Sequence, residues 1–242
     1  MEPTTRSTGG AHILYDAAIL RNPERELWPA GNGDEPGPAA APEAAGRGAV
    51  RTRTLADGRE VVVRHYRRGG WMARLCRDRY LPLPLARTRP WREWHLLARL
   101  FRLGLAVPRP VAARVVPAGP TYRGDLATER LPGARTLGEA LTGAALPAPT
   151  WRRIGATLRR FHDAGADHAD LNAHNILLDA EGGVYLVDFD GGRMRRPGRR
   201  WQRRNLRRLR RSLAKLGGRI ADFRFTEADW SALLAGYAGE AA

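Results

Sequence analysis

Residues 168–175 read His-Ala-Asp-Leu-Asn-Ala-His-Asn, and residues 187–190 read Val-Asp-Phe-Asp. Between these stretches, two short apolar runs flank Glu181-Gly182-Gly183, a pattern that predicts a β-hairpin. Such a hairpin folds Asp188 back beside Asn175. The polar residues of the two stretches are therefore expected to converge.

This predicted cluster has the composition of a phosphoryl-transfer site. Two carboxylates, Asp170 and Asp188, meet one amide oxygen from Asn175. Oxygen ligands of this kind suit Mg2+, which keeps some of its waters and takes phosphate oxygens as further ligands. Phosphoryl transfer also needs one carboxylate to receive the proton of the acceptor hydroxyl. The spacing favours that chemistry over roles as isolated turn or cap residues.

The preceding part of the chain is rich in predicted strands. Residues 49–55, the turn Asp57-Gly58 and the β-branched run 60–66 form a hairpin signature. Two further short strands are predicted at 111–116 and 125–129. A small antiparallel sheet is therefore expected in this first part.

Helical periodicity appears in several places. A helix is predicted from Pro90 to about Leu103, with Gly104 as its stop. Its buried side is expected to carry Leu97, Leu100, Phe101 and Leu103. Further helices are predicted over 150–163, after Asp190, and at the end of the chain, where Trp230, Leu233, Leu234 and Tyr237 recur.

Composition limits the possible chemistry. The 242 residues carry 41 basic and 25 acidic side chains, a formal charge of +16, and Lys215 is the only lysine. A lysine amine is therefore excluded from any role in the first 214 residues. Cys76 is the single cysteine, which rules out an internal disulfide. With neither a secretory signal nor an apolar run long enough to cross a bilayer, we expect the chain in the cytosol or against a membrane from that side.

The motifs resemble those of a known family. His168-x-Asp170-x-x-x-x-Asn175 and Val187-Asp188-Phe189-Asp190 are similar to the catalytic loop and metal-binding motif of the protein-kinase-like superfamily. More narrowly, the chain resembles the 3-deoxy-D-manno-octulosonic acid (Kdo) kinases of lipopolysaccharide core assembly. The segments that carry this resemblance are 12–16 (HILYD), 64–70 (RHYRRGG), 170–178 (DLNAHNILL), 188–190 (DFD) and 201–206 (WQxxNL).

The resemblance implies a fold and a division of roles. The fold is α+β, a bilobal protein-kinase-like fold with an antiparallel-sheet lobe over 1–130 and a mainly helical lobe over 131–242. Asp170 is implied as catalytic base, with Asn175 and Asp188 as Mg2+ ligands beside ATP, and His168 as structural support of the loop. Asp190 stands where most of the superfamily has glycine, which leaves its role open.

The absence of lysine singles out one arginine. Kinases hold the ATP phosphates with a strand lysine paired to a helix glutamate, and the matching strand here ends in Arg64. A guanidinium can bridge phosphate and carboxylate. Its expected partner is Glu93, which shares a helical face with Leu97 and Leu100. A solvated helix-start acid is the alternative interpretation of Glu93.

Further nucleotide contacts are predicted from position. Residues 29–48 are dense in helix and strand breakers and are interpreted as a flexible loop. Gly46 and Gly48, at its end, are equally compatible with a linker and with a phosphate-covering loop. Glu129 and Leu131 match the hinge whose backbone would bind adenine.

The segment from Arg193 to Arg219 has 13 basic residues and no acidic one. Its apolar stripe of Leu206, Leu209, Leu213 and Leu216 favours docking on the second lobe over insertion in lipid. Gly191-Gly192 leads almost directly into this segment, so a platform for peptide substrates is not expected.

The missing platform and the positive charge together fit an anionic glycolipid acceptor. In the family this is a Kdo-lipid A precursor, Kdo-lipid IVA, phosphorylated at the 4-hydroxyl. The implied location is peripheral, on the cytoplasmic side of the inner membrane, with no specific nucleic acid and no obligate protein partner expected.

Two alternatives stay open at this point. One is a lipopolysaccharide heptose kinase or a small-molecule phosphotransferase of the aminoglycoside type, with the same catalytic cluster and another acceptor. The other, from a different class, is an arginine-rich nucleic-acid-binding protein on an inactive kinase scaffold. Trp201 is the only aromatic residue in the basic segment, whereas stacking on bases would need interleaved aromatic side chains.

Overall fold

The computed structural model describes residues 1–29, 50–66, 80 and 83–239. The chain divides into two compact units. The first comprises Met1–Ala98 with Arg109–Arg130, and the second comprises Arg99–Pro108 with Leu131–Ala242.

The first unit is built on a six-stranded antiparallel sheet in the order β1-β2-β5-β6-β4-β3. The strands are β1 (Pro3–Thr8), β2 (Ala11–Asp16), β3 (Val50–Thr54), β4 (Glu60–His65), β5 (Pro110–Pro117) and β6 (Tyr122–Glu129). The predicted β3–β4 hairpin and the strands β5 and β6 are confirmed. The hairpin of β1 and β2 was not predicted, although its turn has a pair of glycines, Gly9 and Gly10, both at positive φ.

Helices α1 (Pro23–Leu27) and α2 (Arg89–Arg102) accompany this sheet in the sequence. Leu97 and Leu100 of α2 are buried as predicted. The same prediction was wrong for Phe101 and Leu103, which are 36% and 53% exposed. Phe101 lies in the last turn of α2, and Leu103 follows the end of the helix at Arg102.

Buried ion pairs fix the acids of the sheet. Asp16, at the end of β2, accepts from Arg109 at 2.7 Å and is fully buried. Asp125 of β6 accepts from His65 and Arg114, each at 2.8 Å. Burial alone would raise the pKa of both carboxyls. The hydrogen bonds and positive charges around them outweigh burial, so both pKa values lie below the ordinary value.

The second unit is mainly helical. Its helices are α3 (Leu137–Ala140), α4 (Ala148–Asp163), α5 (Arg199–Gly217) and α6 (Glu227–Ala238). Short strands complete it: β7 (Arg135–Thr136), β8 (Ala166–Asp167), β9 (Ile176–Leu178), β10 (Val184–Leu186) and β11 (Arg193–Met194). They form the sheets β10-β9-β7 and β11-β8. The predicted hairpin of 176–188 is confirmed as β9 and β10.

Glycines allow α4 and α6 to pack closely. A Cβ atom at Gly155 would lie 2.0 Å from the carbonyl oxygen of Leu233, and one at Gly236 would lie 2.0 Å from that of Arg152. In α5 the stripe is docked, since Leu209 and Leu213 are fully buried. Among the helices of the described ranges, none has the length and apolar character needed to cross a bilayer.

Candidate active site

Asp170 lies in the loop between β8 and β9, and its carboxylate is held on both oxygens. Oδ2 accepts from the side-chain amide of Asn172 at 3.1 Å, and Oδ1 accepts from Arg208 of α5 at 3.0 Å. The Asp170 side chain is 36% exposed. The carboxylate is therefore oriented by two donors and still open to solvent, as a base for an incoming hydroxyl must be.

Asn175 is placed by the backbone around it. Its Nδ2 donates to the carbonyl oxygen of Asp170 at 2.8 Å, and its own carbonyl accepts from Val187 at 3.1 Å. This leaves the side-chain Oδ1 without a donor among the described residues. The hairpin thus returns the chain to Asn175 one residue before Asp188, as predicted.

Asp188 has an unusual backbone. Its φ of 61° is the only positive value among the described residues other than glycine. A non-glycine residue in the left-handed region is uncommon, and such residues cluster at functional sites. No group of three or more His, Cys, Asp or Glu side chains in the described ranges is arranged to hold a metal ion. The predicted ligand set differs from such a group because it includes the amide of Asn175.

His168 supports the loop, as the resemblance implies. It is 2% exposed, its Nε2 lies 2.9 Å from the carbonyl oxygen of Val187, and its Nδ1 accepts from the backbone N–H of Asp170 at 3.2 Å. Burial lowers the pKa of the His168 ring. A neutral ring with its proton on Nε2 satisfies both contacts. Phe189 packs against this ring, with the two centroids 4.5 Å apart.

Helix α5 holds the loop along its length, which the sequence analysis missed. Arg204 donates to Asp167 at 3.1 Å, and Arg208 donates to Asp170. With its amide oriented so that both bonds form, Asn205 donates to the carbonyl of His168 and accepts from its N–H. Ser212 accepts from the N–H of Ala173 at 3.2 Å. The four contacting helix residues are Arg204, Asn205, Arg208 and Ser212, which share one side of α5.

The predicted pair of Arg64 and Glu93 is present in the first unit. The Nη2 of Arg64 lies 2.7 and 2.8 Å from the two carboxylate oxygens of Glu93, which is 3% exposed. Tyr66, which the sequence analysis did not single out, donates its hydroxyl to the same carboxylate. Glu93 is thus a buried partner of Arg64 and not a solvated helix-start acid.

Of the other residues predicted to contact the nucleotide, Glu129 and Leu131 form hydrogen bonds within the protein, and the two glycines lie outside the described residues. Glu129 donates its N–H to the carbonyl of Arg109 at 2.9 Å and accepts from Arg59 at 3.2 Å. The carbonyl of Leu131 accepts from Ala134 at 3.3 Å. Gly46 and Gly48 lie outside the described residues, as does most of the predicted 29–48 loop. Their roles toward a nucleotide stay predictions.

Comparison with known proteins places these motifs in one family. Residues 39–237 match the model of the "Lipopolysaccharide kinase (Kdo/WaaP) family". The 3-deoxy-D-manno-octulosonic acid kinase of Xanthomonas axonopodis pv. citri (strain 306) is 44% identical over 219 residues, which cover 90% of this chain and 86% of the relative. The kinase of the same name from Stenotrophomonas maltophilia (strain R551-3) is 41% identical over the same shares.

Proposed function

Because the chain belongs to the lipopolysaccharide kinase (Kdo/WaaP) family, we propose that it transfers the γ-phosphate of ATP to Kdo on a Kdo-lipid A precursor. Family membership makes it a kinase acting on a hydroxyl group. The proposed acceptor is Kdo-lipid IVA and the proposed hydroxyl is that at position 4. The observation that carries the proposal is the oriented, solvent-open carboxylate of Asp170 in a loop shared with Asn175.

Asp170 is proposed to receive the proton of the acceptor hydroxyl as that oxygen attacks the γ-phosphorus. Asn172 donates a hydrogen bond to one carboxylate oxygen of Asp170, and Arg208 donates one to the other. Together these bonds fix the orientation of the carboxylate. Positioning and charge neutralisation dominate phosphoryl transfer, so a base with a fixed orientation meets the main requirement.

Asn175 and Asp188 are proposed to hold Mg2+. The donor set fits a hard cation, since the amide oxygen of Asn175 is left available by the bond of its Nδ2 to Asp170. The uncommon backbone conformation of Asp188 fits a functional position of this residue. When bound, the cation would neutralise charge on the phosphate oxygens.

Arg64 is proposed to hold ATP phosphate in the place of the missing lysine. Its guanidinium has five N–H donors, and the contacts with Glu93 are made through Nη2. The buried carboxylate therefore fixes the position of the guanidinium. Gly46, Gly48, Glu129 and Leu131 are proposed as further nucleotide contacts, and the two units as the two lobes of a protein-kinase-like fold.

We further propose a peripheral location on the cytoplasmic side of the inner membrane. Helix α5 carries a basic row, defined as Arg199, Arg203, Arg207, Arg211 and Lys215, spaced four residues apart. All five are exposed, and none has an acidic partner among the described residues. A row of cations of this kind is attracted to anionic lipid headgroups.

The test is transfer of label from γ-labelled ATP to purified Kdo-lipid IVA, with heptosylated acceptor as comparison. Label on Kdo, at the 4-hydroxyl by NMR of the product, is the expected result. Label on the heptosylated acceptor alone would favour a heptose kinase. Tight, steeply salt-dependent binding of nucleic acid without turnover on either glycolipid would favour the nucleic-acid-binding alternative.

A further inference from the structure

Asp167 lies beneath an unusual number of arginines. Asp167 is the last residue of β8, three residues before Asp170, and it is 2% exposed. Arg195 donates to it at 3.0 Å, Arg204 reaches both of its oxygens at 3.1 and 3.3 Å, and Arg193 lies 3.8 Å away. Three guanidinium groups therefore face one buried carboxylate.

This exceeds what burial of Asp167 requires. A buried carboxylate needs a cationic partner, and Arg204 alone contacts both oxygens. With Arg193 and Arg195 added, three positive charges meet one negative charge, which leaves two positive charges in excess. The side chains of Arg193, Arg195 and Arg204 are 61%, 37% and 51% exposed. The excess charge is accessible from solvent.

The backbone holds this excess charge in place. Arg193 and Met194 of β11 pair with β8, and the N–H of Arg195 donates to Gly165 at 2.7 Å. Gly165 has a φ of +81°, and a Cβ there would lie 2.1 Å from the carbonyl oxygen of Arg195. The close approach needs glycine. Arg193 of β11 and Arg195 just after it are thus held by hydrogen bonds of the backbone.

The excess positive charge also lies close to the carboxylate of Asp170, the proposed base. One turn after Arg204 on α5, Arg208 donates to Oδ1 of Asp170 at 3.0 Å. The helix therefore links the arginines over Asp167 to the carboxylate proposed as base. We define the arginine cluster as Arg193, Arg195, Arg204 and Arg208.

We propose that the arginine cluster binds an acidic group of the acceptor, and this inference rests on the proposed function. The ligand class is an oxyanion, carboxylate or phosphate, which the planar donor fork of arginine binds through two parallel hydrogen bonds. Kdo is itself an acid, and the proposed glycolipid acceptor is also phosphorylated. Either group would neutralise the excess charge beside Asp170.

Binding of the acid has a consequence for the base. Arg208 now donates to Asp170, and an acceptor oxyanion at the cluster competes for the same guanidinium. As Arg208 turns to the acceptor, Oδ1 of Asp170 becomes available to the hydroxyl, while Asn172 keeps the other oxygen oriented. Arg208 is thus a positioning residue that couples recognition of an acidic sugar to exposure of the base.

The experiment compares arginines inside and outside the cluster. Arg204→Gln and Arg208→Gln remove members of the cluster. Arg159→Gln on α4 and Arg210→Gln on α5 remove exposed arginines that belong neither to the cluster nor to the basic row. With acceptor in neutral detergent micelles, we expect the cluster variants to raise the KM for acceptor at least tenfold and leave the KM for ATP unchanged. Equal KM values in all four variants would overturn the inference.

Two modified acceptors identify the group that is bound. One carries the methyl ester of the Kdo carboxylate, and the other lacks the lipid phosphates. The modification that raises the KM in the unaltered protein, but no further in Arg208→Gln, marks the bound acid. If each modification raises the KM for acceptor as much in the cluster variants as in the unaltered protein, the inference is wrong.

A further arm separates this inference from the proposed function. Arg193→Gln alters the most exposed member, whose removal least disturbs Asp167, and circular dichroism checks the fold of each variant. Equilibrium binding of Kdo-lipid IVA without ATP should weaken in the cluster variants and not in the controls. If the cluster variants bind the acceptor as tightly as the unaltered protein does, the inference is contradicted even if transfer occurs. If binding weakens in the cluster variants and not in the controls, but no phosphate is transferred, only the proposed reaction is contradicted.

Discussion

Two polar regions of this chain handle charge in opposite ways. In the first unit, Arg64 and Glu93 form a balanced, largely buried pair with a hydroxyl from Tyr66. In the second unit, Asp167 and Asp170 face four arginines, and the surplus of positive charge is exposed. A balanced pair keeps its geometry without a ligand, whereas a surplus is neutralised only by an anion from outside. Under the proposed function, the balanced pair would position the nucleotide, and the surplus of charge would bind the acceptor.

The largest expected effect belongs to the second region. Asp170→Asn keeps the shape of the side chain and removes the proposed base, so we expect kcat to fall about 10³-fold, within the range typical of general-base removal. The KM for ATP should change little. Initial rates of label transfer measure both. Asp163→Asn, which changes an exposed carboxylate on α4, is the matched control. A variant at Asp170 that lost ATP affinity instead would break the division between the regions.

Arg64→Ala tests the first region. The substitution removes the Arg64 guanidinium from the buried carboxylate of Glu93, which costs about 3 kcal/mol of folding free energy. We also expect the KM for ATP to rise about tenfold or more with the KM for acceptor unchanged. Urea unfolding and steady-state kinetics give the two values. Arg64→Lys, which keeps the charge, should recover part of both, and equal failure of Lys and Ala would show that charge is not what Glu93 needs.

Acid should weaken the second unit through its buried histidines. Burial lowers the pKa of His162 to about 4, and that of His168 is lowered by the same cause. The unfolded chain takes up protons near pH 6.5 and the folded chain resists them, so stability is lost as pH falls from about 6.5 toward 4. For His162 we expect a loss of about 2 kcal/mol between pH 7.5 and pH 5.

Urea unfolding followed by tryptophan fluorescence at these two pH values measures the loss. His162→Phe should flatten the decline, and His174→Gln, a change at an exposed histidine, should leave it in place. An unchanged decline in His162→Phe would remove that histidine as its source.

The smallest effect concerns the basic row of α5. Arg207→Gln should weaken binding to vesicles that contain anionic lipid about fivefold, because one basic residue near such a surface contributes about 1 kcal/mol. Vesicle sedimentation at two salt concentrations measures this. Arg159→Gln removes the same charge from α4, where Asp163 already pairs with the arginine. An equal loss in that control would assign the binding to net charge and not to the row.

The sequence predicted features that depend on few candidates. Arg64 could be singled out because the chain has no lysine before Lys215, and Glu93 because a carboxylate on an apolar helical face requires a cation. The β3–β4 hairpin was readable from Asp57-Gly58 between β-branched runs. In each case one residue type in one pattern favoured the interpretation that the structure confirms, although a solvated helix-start acid was the alternative for Glu93.

Other features could not be predicted, because several residues fit the same sequence pattern equally well. Thirteen basic residues lie between Arg193 and Arg219, and nothing in their order distinguishes Arg208, which contacts Asp170, from Arg207, which does not. Only the register of α5 against the loop decides between them. The hairpin of β1 and β2 was missed because β1 is exposed along most of its length and lacks a clear apolar alternation.

The hydrogen bonds and ion pairs between α5 and residues 167–173 bear on how the enzyme would be regulated. Because the loop is held by a helix of its own unit, we expect it to be ordered before ATP or acceptor binds. We expect the amides of His168 and Ala173 to exchange hydrogen slowly before any substrate is added, since Asn205 and Ser212 already accept from them. Fast exchange that slows only with ATP would contradict this. A loop that is ordered in this way would need no covalent modification to reach its arrangement.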